Sequence, residues 1–133
     1  MNMNTKEHIR QNLPESTLLF ATALIAAKDT SPDSFESTFL WATEVYTDPL
    51  STIQQGGNAT SEQINAMTRC RDFLACNVPR SFEVEIIILM MALTEDSWRF
   101  LRDEITVDEL TASTEAFGVM VSQSIGMTAT IPA

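Results

Sequence analysis

The sequence predicts an all-α, single-domain compact bundle of five to seven helices with an extended C-terminal tail. Three observations carry that prediction. Apolar residues recur at helical spacing along most of the chain, cap-type residues precede those runs, and no two segments alternate as a pair of strands would. With 133 residues, 44% of them apolar, the chain can build one core without disulfides or a metal, so a single domain over 1–133 is expected.

The elements follow in order. Asn4 and Thr5 can cap a short helix through Lys6 to Arg10, which Pro14 is expected to separate from the next one. From Glu15 to Lys28, the residues Leu18, Leu19, Phe20, Ala21, Leu24 and Ile25 are apolar on more than one face, which predicts a central, largely buried helix. Ser31-Pro32-Asp33 has the form of a cap with proline at the first helical position, and Phe35, Phe39, Ala42 and Tyr46 then form one apolar stripe. Asp48-Pro49 repeats that start before a short helix that stops at Gly56-Gly57.

Residues 54–59, Gln-Gln-Gly-Gly-Asn-Ala, read as a flexible loop. Thr60 to Gln63 has the form of a capping box and opens a helix carrying Ile64, Met67, Cys70, Phe73 and Leu74, ended by Asn77-Val78-Pro79. Ser81 can cap a buried helix from Phe82 to Leu93. Its three consecutive isoleucines also suit a strand, yet no partner strand lies nearby. Thr94-Glu95-Asp96 is expected to begin another helix, with Trp98, Leu101 and Ile105 on one face and Arg99 paired with Asp103. Thr106 and Glu109 form a second capping box ahead of Leu110, Phe117 and Val121.

The C-terminal end reads two ways. As helix, Thr114, Gly118, Ser122 and Gly126 make a ridge of small residues, a route to self-association through the 114–126 segment. As strand, Val119, Val121, Ile125, Met127, Ala129 and Ile131 alternate with small or polar residues. Helix to about Ile125 followed by a tail over 126–133 is the expectation.

Chemistry-bearing residues are few. A single histidine, His8, lies near the start of the chain with no serine or cysteine placed beside it by sequence, and reads as a surface residue on a short helix. Cys70 and Cys76 are six apart, matching neither a zinc knuckle nor a CxxC redox pair, and are expected to be reduced and buried. The close pairs Glu83 with Glu85, Asp103 with Glu104 and Asp108 with Glu109 lack the ExxH and ExxE spacings of helical metal enzymes. The common phosphate, dinucleotide and zinc signatures are absent. No catalytic residue, metal ligand or cofactor is therefore expected.

Charge is the remaining pattern. Eight Lys and Arg against eighteen Asp and Glu give a net charge of −10, which argues against direct binding to nucleic acid or to an anionic membrane and favours a partner with a basic surface. No basic residue occurs from Asp29 to Thr68, where Asp29, Asp33, Glu36, Glu44, Asp48 and Glu62 lie. None follows Arg102, where Asp103, Glu104, Asp108, Glu109 and Glu115 lie. Such blocks either solubilise the fold or form a docking face. Trp41 falls off the stripe of its helix, and is either part of a broad buried face or an exposed anchor of the kind that dominates interfaces. The longest apolar run, Ile86 to Leu93, is far short of the roughly 20 residues of a membrane helix. Lys6 and Arg10 do not introduce a secretory leader, so a cytoplasmic location is expected.

The sequence thus points to a non-catalytic acidic protein-binding module, an inhibitor or adaptor of the kind phages and mobile elements often encode, engaging a basic or nucleic-acid-binding protein. Asp33, Glu36, Trp41, Glu44, Asp108, Glu109 and Glu115 are the expected partner-binding residues. The alternatives are a small acidic assembly or export chaperone with an apolar client groove, and a small helical enzyme with a carboxylate site.

Overall fold

The structure, a computed structural model, describes the backbone of residues 2–30, 35–79 and 81–129, and the side chains of 5–29, 35–53, 55–79, 81–119 and 122. Six helices make up the described residues: α1 Asn2–Thr30, α2 Glu36–Thr47, α3 Leu50–Gln54, α4 Ser61–Asn77, α5 Phe82–Leu101 and α6 Val107–Ala129. No strand occurs among the described residues, as the periodicity predicts. No described helix is long and apolar enough to cross a membrane.

Helices α1, α2, α4 and α5 close a ring of packed neighbours, α1 on α2 and α5, and α4 on α2 and α5, while α6 packs along α5. The core inside the ring is built on Phe20, Phe39, Tyr46, Met67, Leu74, Met91 and Trp98. Phe20 meets Tyr46 edge-on, ring centroids 5.3 Å apart, a geometry that aromatic quadrupoles favour.

Local signals set most of the helix starts. Thr60 accepts from the Gln63 backbone N–H at 3.1 Å while the Gln63 side chain accepts from the Thr60 N–H at 2.8 Å. Thr106 and Glu109 make the same reciprocal pair at 3.2 and 3.1 Å, and Ser81 accepts from the Val84 N–H at 3.2 Å. Each bond satisfies an amide that the first helical turn leaves without a partner. Helix α3 stops where Gly56 takes φ +82°, a left-handed conformation glycine adopts without a Cβ clash. The cap expected at Ser31-Pro32-Asp33 lies outside the described residues.

Several expectations are corrected. Pro14 does not divide the first helix, since α1 runs through it. A proline costs a helix interior about 3 kcal/mol, but Leu13 and Thr17 are buried on either side of it. Arg10 also ties the preceding turn to the Gly57 carbonyl at 2.7 Å and to Asn58 Oδ1 at 2.8 Å. Those two bonds and the burial of Ala59 anchor the segment expected as a flexible loop. Thr94 does not start a helix either. Its hydroxyl donates to the Met90 carbonyl at 2.8 Å, and α5 passes through without a break. The helix ends about two turns later, at Leu101, just before Asp103 adopts φ +62° and pairs with Lys6. Arg99 accordingly pairs with Asp96 at 3.1 Å, three residues back, and not with Asp103.

Burial of α1 is narrower than its composition suggests. Leu13, Phe20, Leu24 and Ala27 are in the core, whereas Leu18, Leu19 and Ile25 are exposed. Two neighbouring helices cover only part of a helix circumference, and α1 has just α2 and α5 as its main neighbours. At the other end, α6 continues to Ala129, four residues past the expected stop, so the strand reading is not realised there; residues 130–133 lie outside the described ones.

Candidate functional site

Three features of the bundle bring together residues able to bind or react. The first is an enclosed polar cluster at the junction of α2, α4 and α5. Glu95 is fully buried, on the same stripe of α5 as Val84, Ile87, Met91 and Trp98. The Tyr46 hydroxyl stands 2.8 Å from Glu95 Oε2 and 2.9 Å from the Met67 carbonyl, and Thr68 donates to Glu95 Oε1 at 2.8 Å. Arg71 Nε lies 3.5 Å from Oε2 and Arg99 Nη2 3.7 Å from Oε1, with Arg99 also donating to Thr68 at 3.0 Å.

Electrostatics in this cluster follow from burial. Desolvation lifts the Glu95 carboxyl above its ordinary range, and the bonds from Thr68 and Tyr46 with the charge of Arg71 and Arg99 offset only part of the lift. Desolvation and the neighbouring Glu95 raise Tyr46 far above an ordinary tyrosine, and together they push the Cys70 thiol up to about 12. A hydroxyl has one proton. When Glu95 is neutral its proton can go to the Tyr46 oxygen while Tyr46 donates to Met67, satisfying all three groups at once. The cluster thereby clamps three helices together, in a place where Glu95 has no exposed surface for a substrate to meet.

The second feature is the outer face of α2 and α4. Trp41 keeps 37% of its surface exposed and packs edge-on against Phe73, which is also exposed, with ring centroids 6.1 Å apart. Leu40 is half-exposed beside them, and Glu36 and Glu44 lie one turn before and after Leu40 on the same exposed side of α2. The edge-on contact holds Trp41 in place and limits the rotamer entropy it would lose on binding.

The third is an open groove of about 590 Å³ between α1 and α6, floored by α5. Its apolar lining includes Leu19, Phe20, Leu93, Leu110 and Phe117. The hydroxyls of Ser16, Thr94, Ser97, Thr111 and Thr114 also face this region, but each donates to a carbonyl of its own helix. Those hydroxyl protons are engaged within the helices, so the walls behave as largely apolar.

The residues expected to bind a partner fall into separate places. Glu36, Trp41 and Glu44 share the α2 face, and Asp33 lies outside the described residues. Asp108, Glu109 and Glu115 are exposed on α6. Because α2 packs on α1 and α4 while α6 packs on α5, the two blocks stand on helices that are not main packing neighbours. Glu109 is occupied in capping Thr106, and Glu115 lines the groove. Cys70 is buried as expected; Cys76 is exposed, because six residues carry it to another face of α4. No group of three or more His, Cys, Asp or Glu residues able to hold a metal occurs among the described residues.

Sequence reasoning missed Glu95, Phe73 as the companion of Trp41, and the groove. For Glu95 the signal was present: a carboxylate on the apolar stripe of α5, four residues before an arginine. Comparison with known proteins adds no relative, since no protein-family model, curated protein or solved structure matches the chain. The structure defines its class, an all-α helical bundle.

Proposed function

We propose that this protein is a non-catalytic acidic protein-binding module, an inhibitor or adaptor that engages a protein with a basic surface through the outer face of α2 and α4. The observation that carries this reading is the exposed Trp41–Phe73 pair, with Glu44 exposed three residues after Trp41 and Glu36 exposed earlier on the same helix. Exposed aromatics held in place are the usual anchors of protein interfaces, and carboxylates around them steer a cationic partner. Part of the basic charge is taken up within the chain, since Lys6, Arg71, Arg99 and Arg102 pair with its own carboxylates, while Arg69 is exposed one turn before Phe73 and offsets some of the negative charge of this face. Arg10 is bound to the 57–58 backbone and side chain.

Capture from a host lysate by the wild type and by Trp41→Ala, at low and at moderate salt, tests the reading. A basic protein held by the wild type, lost with Trp41→Ala at unchanged helicity and weakened by salt, supports it. Equal capture by both forms would sink it. The groove of α1, α5 and α6 favours a second reading, an assembly chaperone that shields an apolar segment of a client.

A further inference from the structure

The groove between α1 and α6 has a shape and a rim that select one kind of occupant. Its α1 wall runs from Thr5 to Phe20, a rise of about 23 Å at 1.5 Å per residue. Leu19, 64% exposed, stands at its edge. Of the three helices packed on α5, α1 and α6 flank its open face, so the unfilled space between them has the form of a slot for one more helix.

Charge decides among the candidates for that slot. Among the described residues no Lys or Arg lines it, and its titratable lining is His8 and Glu115. Glu15 is exposed one turn before Leu19 on α1, and Asp108 is exposed two turns before Glu115 on α6. Both walls therefore carry carboxylates at or beside the rim. A fatty acid would bring a carboxylate against them and leave the open side of its chain in water. A second copy of this chain would bring a net charge of −10 against −10.

We infer that the α1/α5/α6 groove binds an amphipathic helix of a partner protein whose apolar stripe is flanked by Lys and Arg. The stripe packs on Leu19, Leu93, Leu110 and Phe117, and the flanking cations meet Glu15, Asp108 and Glu115. This helix-in-groove mode extends the protein-binding reading to a second face, independent of Trp41.

The test uses the full chain and three fluorescein-labelled peptides of about 16 residues: a leucine stripe flanked by lysines, the same stripe flanked by glutamates, and the lysine peptide with its leucines replaced by serine. Anisotropy at about 0.15 M salt should give saturable binding for the first peptide, with the other two at least tenfold weaker. Leu19→Glu should weaken the first by tenfold or more. Its side chain is exposed, so the fold persists, and methyl shifts at Leu93 and Leu110 on titration locate the peptide independently. Trp41→Ala should leave peptide binding unchanged, so this inference and the α2–α4 reading fail separately. Equal binding of the glutamate-flanked peptide, indifference to Leu19→Glu, palmitate displacing the peptide from the groove, or a dimer in sedimentation that Leu19→Glu dissolves would each overturn the inference.

Discussion

The Tyr46 hydroxyl and the Glu95 carboxylate meet at 2.8 Å in the interior, joining α2 to α5 where neither group touches water. Tyr46→Phe removes that contact and the bond to the Met67 carbonyl. It should destabilise by about 1–3 kcal/mol, the usual cost of leaving buried polar groups unpaired, read as a fall in the urea midpoint. An unchanged midpoint would mean that the clamp contributes nothing.

Glu95 also sets a pH dependence. An ordinary glutamate in the unfolded chain ionises near about pH 4.3, and burial raises the native carboxyl above that. Between the two values the native state holds a proton that the unfolded chain has released. Stability from this group is therefore present below the unfolded value and is lost as pH rises through the native one. Glu95→Gln, which cannot ionise, should lose less stability than the wild type across that interval, measured by urea unfolding at steps from pH 4 to 8. Parallel curves would show that Glu95 ionises as freely in the fold as outside it.

Phe39 and Leu40 are adjacent on α2, one buried and one half-exposed. Phe39→Ala should cost about 3–5 kcal/mol as a large-to-small core change, whereas Leu40→Ala should stay nearer about 0.5 kcal/mol. Thermal melts of the pair check the orientation of the helix. Similar losses from both would mean that α2 presents a different face to the core.

The two cysteines should differ sharply toward iodoacetamide at pH 8. Cys76 is exposed, whereas Cys70 is buried with its thiol pushed up to about 12, so it holds little thiolate. Mass spectrometry of the folded protein should find one alkyl group, on Cys76, with Cys70 modified only after denaturation. Equal labelling of both in native buffer would contradict the packing of α4.

Exposed carboxylates should act on association more than on dissociation. Glu36→Gln with Glu44→Gln, or Asp108→Asn with Glu115→Gln, should leave helicity intact and slow binding of a basic partner. The effect should be clearest below about 0.1 M salt, where the Debye length exceeds about 10 Å. Glu109 is left out because it caps α6 through Thr106. Stopped-flow association rates unmoved by either pair would mean that the acidic blocks serve solubility alone.

The sequence by itself determined the helical class, the caps at Thr60, Ser81 and Thr106, and the buried stripe of Phe39, Ala42 and Tyr46. All of these depend on spacings within one or two turns. Tertiary structure alone decided whether Pro14 would break α1, which leucines of α1 would be covered, and that Glu95 would sit in the core. Covering a helix face depends on neighbours distant in the chain: with α2 and α5 packed on α1, Leu13 and Phe20 are buried while Leu19 is left at the edge of a groove. A local break is likewise outweighed by packing, since a proline penalty of about 3 kcal/mol is of the size that one or two buried side chains return. Periodicity names the side chains able to be buried, and the arrangement of the other helices determines which of them are.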